Sequence, residues 1–155
     1  MPNSSEAVQA FLGLHRIALV GVSREPAHFS RTLFHEFLRR GYDVVPVNPA
    51  SDEIEGRRAY STVAAIEPPV QGALLMTPAP ASERAVRDCE AAGVKRIWLF
   101  RGGGTGAVSP NAVAFARDHG MQVVAGECPF MFLPNTAWFH AAHGVVRKIL
   151  GRYPK

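Results

Sequence analysis

The sequence predicts an α/β domain of three layers, in which helices cover both faces of a doubly wound parallel sheet of five to six strands. Five short runs are almost entirely apolar, which is typical of strands buried on both faces. Amphipathic stretches of helical period separate these runs, and three of the stretches end in a glycine directly before the next run. Such alternation indicates strands joined by helical crossovers.

The predicted strands are the apolar runs themselves. They lie at Arg16 to Val20, Asp43 to Val47, Ala73 to Met76, Arg96 to Phe100 and Gln122 to Ala125, with a short edge strand at Arg57 to Tyr60. Three helices connect them, each followed by Gly41, Gly93 or Gly120: Phe29 to Arg40, Ser82 to Ala92 and Asn111 to His119. Further helices are predicted at Ser61 to Ile66, Met1 to Leu14 and Thr136 to Leu150.

Length and composition favour one globular domain. The chain has 155 residues and no linker rich in Gly, Ser or Pro, so we expect a single domain over residues 1–155, with its core at 14–132 and a helical extension at 133–155. Its composition is 47% hydrophobic and 19% charged, and no apolar run is long enough to cross a bilayer. The N-terminal segment lacks the pattern of a secretory signal, which favours the cytoplasm.

The charge balance favours a small anionic partner. The formal net charge is +4 and the pI about 9.5. The basic residues occur as scattered pairs rather than as a stripe with interleaved aromatics, which argues against nucleic acid. Cys89 and Cys128 are too few and too far apart for a disulfide framework or a metal knuckle, so we expect reduced thiols.

In a sheet of this type ligands bind beyond the carboxyl ends of the strands, so the turns after the strands are the candidate site. The turn after the first strand suits a phosphate group. Gly21 allows a tight reversal, Ser23 offers a hydroxyl, and the first amides of the following helix attract an anion. The alternative is that Gly21 and Pro26 only shape the connection and Ser30 only caps the helix.

A nicotinamide or flavin dinucleotide is disfavoured by two features of the sequence. Its binding turn would need glycines where this chain has Ser23 and Pro26. Its ribose would need a carboxylate directly after Val47, whereas the first acidic residue is Asp52. A ribose that carries a phosphate would instead favour a nearby cation. The candidate cations are Arg24, Arg57 and Arg58.

Six short features occur in a fixed order along the predicted strands and turns. They are Gly21-Val22-Ser23-Arg24-Glu25-Pro26, Ser30 at the helix start, Val47-Asn48-Pro49, Gly56 before a short strand, Thr77-Pro78-Ala79-Pro80 and Cys128-Pro129. Together they resemble the CoA-binding domain, a family of small stand-alone Rossmann-like proteins related to the N-terminal domain of the succinyl-CoA synthetase alpha subunit. The resemblance covers residues 14–132.

The resemblance implies that coenzyme A, or an acyl-CoA, binds at these motifs without catalysis by this chain. The diphosphate would lie against the first turn and the helix start, the adenosine would be bordered by Asn48 and Pro49, and the pantetheine arm would pass Thr77 and Pro78. The residues implied at the diphosphate are Gly21, Val22, Ser23, Arg24, Pro26 and Ser30.

The chain departs from the synthetase in two ways. Ala50-Ser51-Asp52-Glu53 replaces the lysine-bearing segment that follows the second strand of the synthetase subunit. The phosphohistidine-bearing and ATP-binding parts have no counterpart here, so the resemblance does not imply ligase activity. Two alternatives to simple binding remain: a CoA-dependent transferase or thiol-exchange enzyme that uses Cys128, and a regulator that binds NAD or NADP.

The remaining features carry weaker expectations. Cys128 is otherwise a packing residue, and the glycines from Gly102 to Gly106 form a surface loop or a flap over the ligand. His140 and His143 lie three residues apart but lack a third ligand, so we predict no metal site. The aromatic residues from Phe130 to Phe139 pack the terminal segment onto the sheet or contact a second copy in a homodimer.

Overall fold

The computed structural model describes residues 3–102 and 104–134. Its strands are β1 (Arg16–Val20), β2 (Asp43–Val47), β3 (Glu53–Ile54), β4 (Arg57–Arg58), β5 (Gly72–Leu75), β6 (Arg96–Phe100) and β7 (Gln122–Glu127). Its helices are α1 (Ser5–Leu12), α2 (Phe29–Arg39), α3 (Ala79–Ala91) and α4 (Pro110–Asp118), with single 3-10 turns at Val63–Ala65 and Pro129–Met131. Five parallel strands form one sheet in the order β2-β1-β5-β6-β7, while β3 and β4 pair as a small antiparallel hairpin.

Helices cover both faces of the sheet, which confirms the three-layer α/β Rossmann-like fold. On one face, Phe11 of α1 and Phe34 of α2 pack with Leu19 and are at most 1% exposed. On the other face, α3 and α4 pack against strand residues that include Val20 and Leu75. Successive residues of β1 therefore point into different cores, as alternation along a strand requires, and all positions after its first are buried.

The sheet order places the turn after β1 at the point where the connections diverge. β1 pairs with β2 on one side and with β5 on the other, and both pairings are parallel. The chain leaves β1 through α2 to reach β2 on one side, and it later returns to β5 on the opposite side. A crevice opens where such connections part, and this is where ligands bind in doubly wound folds.

The predicted edge strand at Arg57 to Tyr60 does not join the sheet as a strand. Arg57–Arg58 pairs instead with Glu53–Ile54, because the turn between them places Glu55 and Gly56 at φ values of 53° and 74°. Tyr60 alone reaches the sheet, where its carbonyl accepts a hydrogen bond of 2.9 Å from the Asn48 amide.

Three predicted helices differ from the structure by more than one residue at an end. The helix expected at Met1 to Leu14 spans Ser5–Leu12, because the Ser4 hydroxyl accepts from the Ala7 amide and caps its start. The helix expected from Ser82 begins at Ala79, because Pro80 in the first turn lacks an amide that would need a partner there. The helix expected at Ser61 to Ile66 is one 3-10 turn, whose first amide donates to Asp88 Oδ2 at 2.7 Å.

Two parts of the predicted organisation lie outside the described residues, namely the terminal helix at Thr136 to Leu150 and the pair His140 and His143. Within the described ranges, no helix has both the length and the apolar character needed to cross a membrane.

Candidate functional site

A cavity of about 1100 Å³ opens at the carboxyl ends of the parallel strands. It is a size that suits a large organic ligand. Its β1 end is formed by the turns after β1 and β2. Its β6 end is formed by residues at and after the ends of β6 and β7, namely Phe100, Arg101, Gly102, Gly106, Ala107, Gly126, Cys128 and Met131. Met76, Thr77 and Pro78, after β5, lie between the two ends in the order of the sheet.

Gly21 begins the turn after β1 and has no room for a side chain. Its φ is +90°, and an added Cβ would lie 3.1 Å from Thr77 Cγ2 and 3.2 Å from the Met76 carbonyl carbon. The turns after β1 and β5 therefore touch directly. The small residue keeps these two walls of the cavity together while its left-handed backbone redirects the chain.

Short-range hydrogen bonds organise the start of α2. The helix is capped by His28, whose Nδ1 accepts from the Ser30 amide at 3.1 Å, and the Ser30 hydroxyl accepts from the Ser23 amide at 2.9 Å. With Nδ1 as acceptor, the proton of the neutral imidazole lies on Nε2, which makes the ring a donor. Ser30 is completely buried, so it holds the turn rather than lining the cavity.

Two backbone amides at the β1 end have no acceptor among the described residues. They belong to Val22 and Phe29, and both residues line the cavity. Val22 is buried over the whole residue and packs in the core, whereas Phe29 is 37% exposed. Free amides at a turn and a helix start are the usual protein groups that bind phosphate.

A buried arginine holds the turn from below. Arg31 is 7% exposed, and its guanidinium donates to the carbonyls of Ser23 at 3.3 Å and Arg24 at 3.2 Å. It also forms an ion pair with Glu55 of the β3–β4 hairpin, which His35 approaches at 2.8 Å. Burial raises the pKa of Glu55, but the hydrogen bond and charge of Arg31, together with His35, outweigh it and lower the pKa overall.

Asn48 and Thr77 support the walls beside the turn. The Asn48 amide nitrogen donates to the Val22 carbonyl at 2.9 Å, and its oxygen accepts from the Ala50 amide at 2.8 Å. Thr77 Oγ1 lies 2.8 Å from the hydroxyl of Ser82, which is buried in the first turns of α3. Asn48 therefore connects the turns after β1 and β2, and Thr77 is bonded to the helix that follows it, while both residues line the cavity.

The β6 end is largely apolar. Phe29 stacks on Phe100 with ring centroids 5.5 Å apart and meets Phe130 edge-on at 5.8 Å. Cys128 and Met131 extend this wall. Burial is the largest influence on the Cys128 thiol and raises its pKa above the usual value. The thiol is therefore protonated at neutral pH and is a poor nucleophile.

Arg101 places one cation in this apolar end. Its guanidinium lies against Gly126, where an added Cβ would be 3.1 Å from Nη2 and 3.3 Å from Cζ. The loop that follows is closed by a hydrogen bond of 2.8 Å from the Ala107 amide to the Phe100 carbonyl. At Gly106 an added Cβ would lie 2.6 Å from that same carbonyl oxygen, so only glycine fits there. The glycine loop is thus part of the cavity wall.

Seven of the ten predicted site residues line the cavity. They are Gly21, Val22, Ser23, Asn48, Pro49, Thr77 and Pro78. The other three do not: Arg24 and Pro26 are exposed on the outside of the turn, and Ser30 lies beneath it. Their contact with a ligand stays a prediction.

The other predicted cations are engaged elsewhere. Arg57 lies 3.6 Å from Asp43, and the Arg58 guanidinium covers the Tyr60 ring at 4.8 Å. Neither arginine lines the cavity.

Sequence reasoning missed three important residues of the site. His28 was missed because histidine is not a usual N-cap, and Arg31 because its partner Glu55 is 24 residues away in the chain. Arg101 follows the fourth predicted strand, so the sequence made its turn one of the candidate turns, but no local signal showed that the Arg101 side chain itself lines the cavity. Among the residues that the structure describes, no group of three or more His, Cys, Asp or Glu side chains is placed to hold a metal ion.

Comparison with known proteins agrees with this geometry. The CoA binding domain family matches residues 15–134. A structure of a hypothetical protein from Pyrococcus horikoshii superposes with a TM-score of 0.76 and 27% identity, over 83% of this chain and 91% of that one. The dinucleotide-forming acetyl-coenzyme A synthetase 1 of Candidatus Korarchaeum cryptofilum matches with a TM-score of 0.66 and 26% identity, over 77% of this chain and 27% of that one.

Among curated proteins, the alpha subunit of an ADP-forming acetate–CoA ligase from Pyrococcus furiosus is 26% identical over 125 residues. An uncharacterised protein of Bacillus subtilis, YneT, is 33% identical over 69 residues. The matched segments cover 76% and 44% of this chain, but only 27% and 51% of those two relatives. The match of the family to 15–134, in a chain whose fold and crevice agree with it, shows that this protein belongs to the CoA-binding domain family.

Proposed function

We propose that this protein binds coenzyme A or an acyl-CoA in the cavity, through the turn after β1, without catalysing a reaction itself. The observation that carries this proposal is that the amides of Val22 and Phe29 have no acceptor among the described residues, and that both residues line the same cavity as Gly21 and Ser23. A diphosphate placed there accepts hydrogen bonds from these two amides and a further one from the ring of His28.

The electrostatics of the cavity support an anionic ligand. Its wall, as far as the chain is described, includes Arg101 and His28 but no aspartate or glutamate side chain. A carboxylate at the end of β2 would repel a phosphorylated ribose and would instead favour the hydroxyls of NAD. β2 is followed here by Asn48 and Pro49, whose side chains carry no charge. This arrangement supports CoA over a dinucleotide.

The comparisons support a CoA species as the ligand. They support binding of that ligand, but not a catalytic activity of this chain. The acetate–CoA ligase subunit and the acetyl-coenzyme A synthetase are much longer than this chain, which matches about a quarter of each. Besides Arg101, the titratable side chains in the described wall are His28, whose ring accepts the Ser30 amide, and Cys128, whose thiol is protonated. This supports a carrier or sensor of CoA rather than an enzyme.

Isothermal titration of the full chain with CoA, acetyl-CoA, NAD and NADP tests the proposal. We expect heat of binding with the CoA species and a preference for them over both dinucleotides. Mass spectrometry of the purified protein under native conditions provides a second readout, because a co-purified nucleotide would be identified directly by its mass. A preference for NAD, or no binding of any CoA species, would overturn the proposal.

A further inference from the structure

We propose that Arg101 selects the acyl group, so that the preferred ligand is a CoA thioester whose acyl chain ends in a carboxylate. This inference rests on the proposed function and adds a substrate class to it. Arg101 is an exposed residue of the β6 end of the cavity, and the described residues offer its guanidinium neither an ion pair nor a hydrogen bond.

The position of Arg101 in the sheet separates it from the phosphate groups of the ligand. β6 lies two strands from β1 in the order β2-β1-β5-β6-β7. Neighbouring strands are about 4.8 Å apart, so Arg101 follows a strand roughly 10 Å from the one that carries the first turn. A ligand with its diphosphate at Gly21 and its arm beside Thr77 therefore extends its thiol and acyl end toward β6.

The surroundings of Arg101 suit an acyl chain with a charged end. Phe29, Phe100, Cys128 and Met131 offer apolar surface to methylene groups. The guanidinium is the charged group in the wall that these residues form, and carboxylate is the anion that its planar fork pairs with best.

The backbone holds the guanidinium at this place. Its flat side lies against Gly126, and the loop behind it is closed at Gly106, where a side chain would collide with the Phe100 carbonyl. Both glycines also line the cavity. Because these contacts limit the positions open to Arg101 without neutralising it, the side chain is oriented before a ligand arrives.

Matched acyl-CoA pairs test the inference by isothermal titration. Malonyl-CoA is compared with acetoacetyl-CoA, and glutaryl-CoA with valeryl-CoA, because each pair differs chiefly in a terminal carboxylate against a neutral group. Arg101 is exposed, so a neutral ligand leaves it in water, and we expect a preference rather than exclusion. The wild-type protein should bind the acidic member of at least one pair roughly tenfold more tightly.

Two variants and a matched control assign the preference to Arg101. Arg101→Met should abolish the preference within each pair, with a larger loss of affinity for the acidic member than for the neutral one, and Arg101→Lys should retain part of the preference. Arg117→Met makes the same change at an exposed position of α4 outside the cavity and should alter nothing.

The outcomes separate this inference from the proposed function. Equal affinities within both pairs for the wild-type protein would overturn the inference while CoA binding stands. An equal loss for every CoA species in Arg101→Met would also overturn it, because the arginine would then bind a part of the ligand common to all of them. If neither CoA nor any thioester binds, the proposed function fails and the inference fails with it.

Discussion

At the β1 end of the cavity the wall residues are held by buried partners, whereas at the β6 end the wall includes more exposed side chains, among them Arg101 on a glycine loop. Ser30 is 0% exposed and Arg31 7% exposed, and both anchor the turn whose amides line the cavity. Arg101 and Phe29 are exposed, and they line the cavity with their side chains. The β1 end depends on buried contacts that the fold requires, whereas single substitutions of exposed side chains can change the chemistry of the β6 end.

This difference leads us to expect that the two ends of the cavity bind different parts of the ligand. Backbone amides cannot be altered by substitution, so the β1 end suits the part of the ligand that every CoA species shares. Exposed side chains at the β6 end suit the part that varies. Variants at the β1 end should therefore weaken all CoA species equally, whereas variants at the β6 end should change the selectivity.

The largest effect is expected from Ser23→Glu. A carboxylate at this position would lie beside the diphosphate and repel it, so affinity for CoA should fall by more than roughly 100-fold for every thioester. Ser61→Glu adds the same charge at an exposed position outside the cavity and should leave affinity unchanged. Isothermal titration measures both, and unchanged affinity in Ser23→Glu would place the phosphate site elsewhere.

Arg31→Met tests whether the buried support matters. It removes hydrogen bonds to two turn carbonyls and leaves Glu55 without its main partner, so the free energy of unfolding should fall by about 2 kcal/mol. A double-mutant cycle with Glu55→Gln, followed by urea unfolding, should give a coupling energy of about 1 kcal/mol. Additive effects would mean that the hairpin does not support the turn.

Two glycine variants separate crowding from backbone strain. Gly21→Ala places a Cβ against the Met76 backbone at φ +90°, whereas Gly41→Ala meets nothing within 4 Å at a similar φ of +88°. Both should lose about 1 kcal/mol of stability from the left-handed conformation. Gly21→Ala alone should also weaken CoA binding, by roughly fivefold, since it pushes apart the turns after β1 and β5. Equal affinities in the two variants would contradict this reading of the contact.

The ion pair beneath the turn predicts a modest loss of stability in acid. The pKa of Glu55 is lower in the folded protein than its ordinary value of 4.5, so its contribution is present above that value. The contribution is lost as the pH falls through the folded pKa. Glu55 is 25% exposed, so we expect a change of at most about 1 kcal/mol. Urea midpoints measured between pH 7 and pH 3 should fall less steeply in Glu55→Gln than in the wild-type protein.

The smallest effect is expected at Cys128. Its pKa is raised above 9.0, so fewer than about 1% of the thiols are ionised at pH 7. Incubation with CoA disulfide should give no adduct by mass spectrometry, and Cys128→Ser should bind CoA within about twofold of the wild-type protein. A stable mixed disulfide on Cys128 would instead favour the thiol-exchange enzyme, and it would make the β6 end a reactive site.

The sequence predicted the β1 end better than the β6 end, and particular residues show why. Gly21, Ser23, Asn48 and Thr77 directly follow apolar strands, and parallel strands bring such turns to one edge of the sheet. Their place in the cavity therefore follows from local pattern and fold class. Ser30 was placed correctly at the helix start, but its hydroxyl bonds the Ser23 amide, a role that depends on how the turn folds back.

The residues that the sequence did not reveal depend on contacts between distant parts of the chain. Arg31 meets Glu55 across 24 positions, and the stacking of Phe29 on Phe100 joins residues from α2 and β6. Burial also changes chemistry in a way that residue type does not show, as in the raised pKa of Cys128. In the pairs Arg31–Glu55 and Phe29–Phe100, the sequence around one residue gives no indication of its partner.

The amino-acid sequence by itself determined the order of strands and helices, because apolar period and terminal glycines are local properties of the chain. It also determined which turns lie at the carboxyl edge of the sheet, since parallel strands joined by crossovers all have their carboxyl ends at the same edge. Only the tertiary structure decided which amides stay unpaired, and that a glycine loop presents Arg101 to an apolar wall. Those properties arise from distances between segments that packing alone brings together.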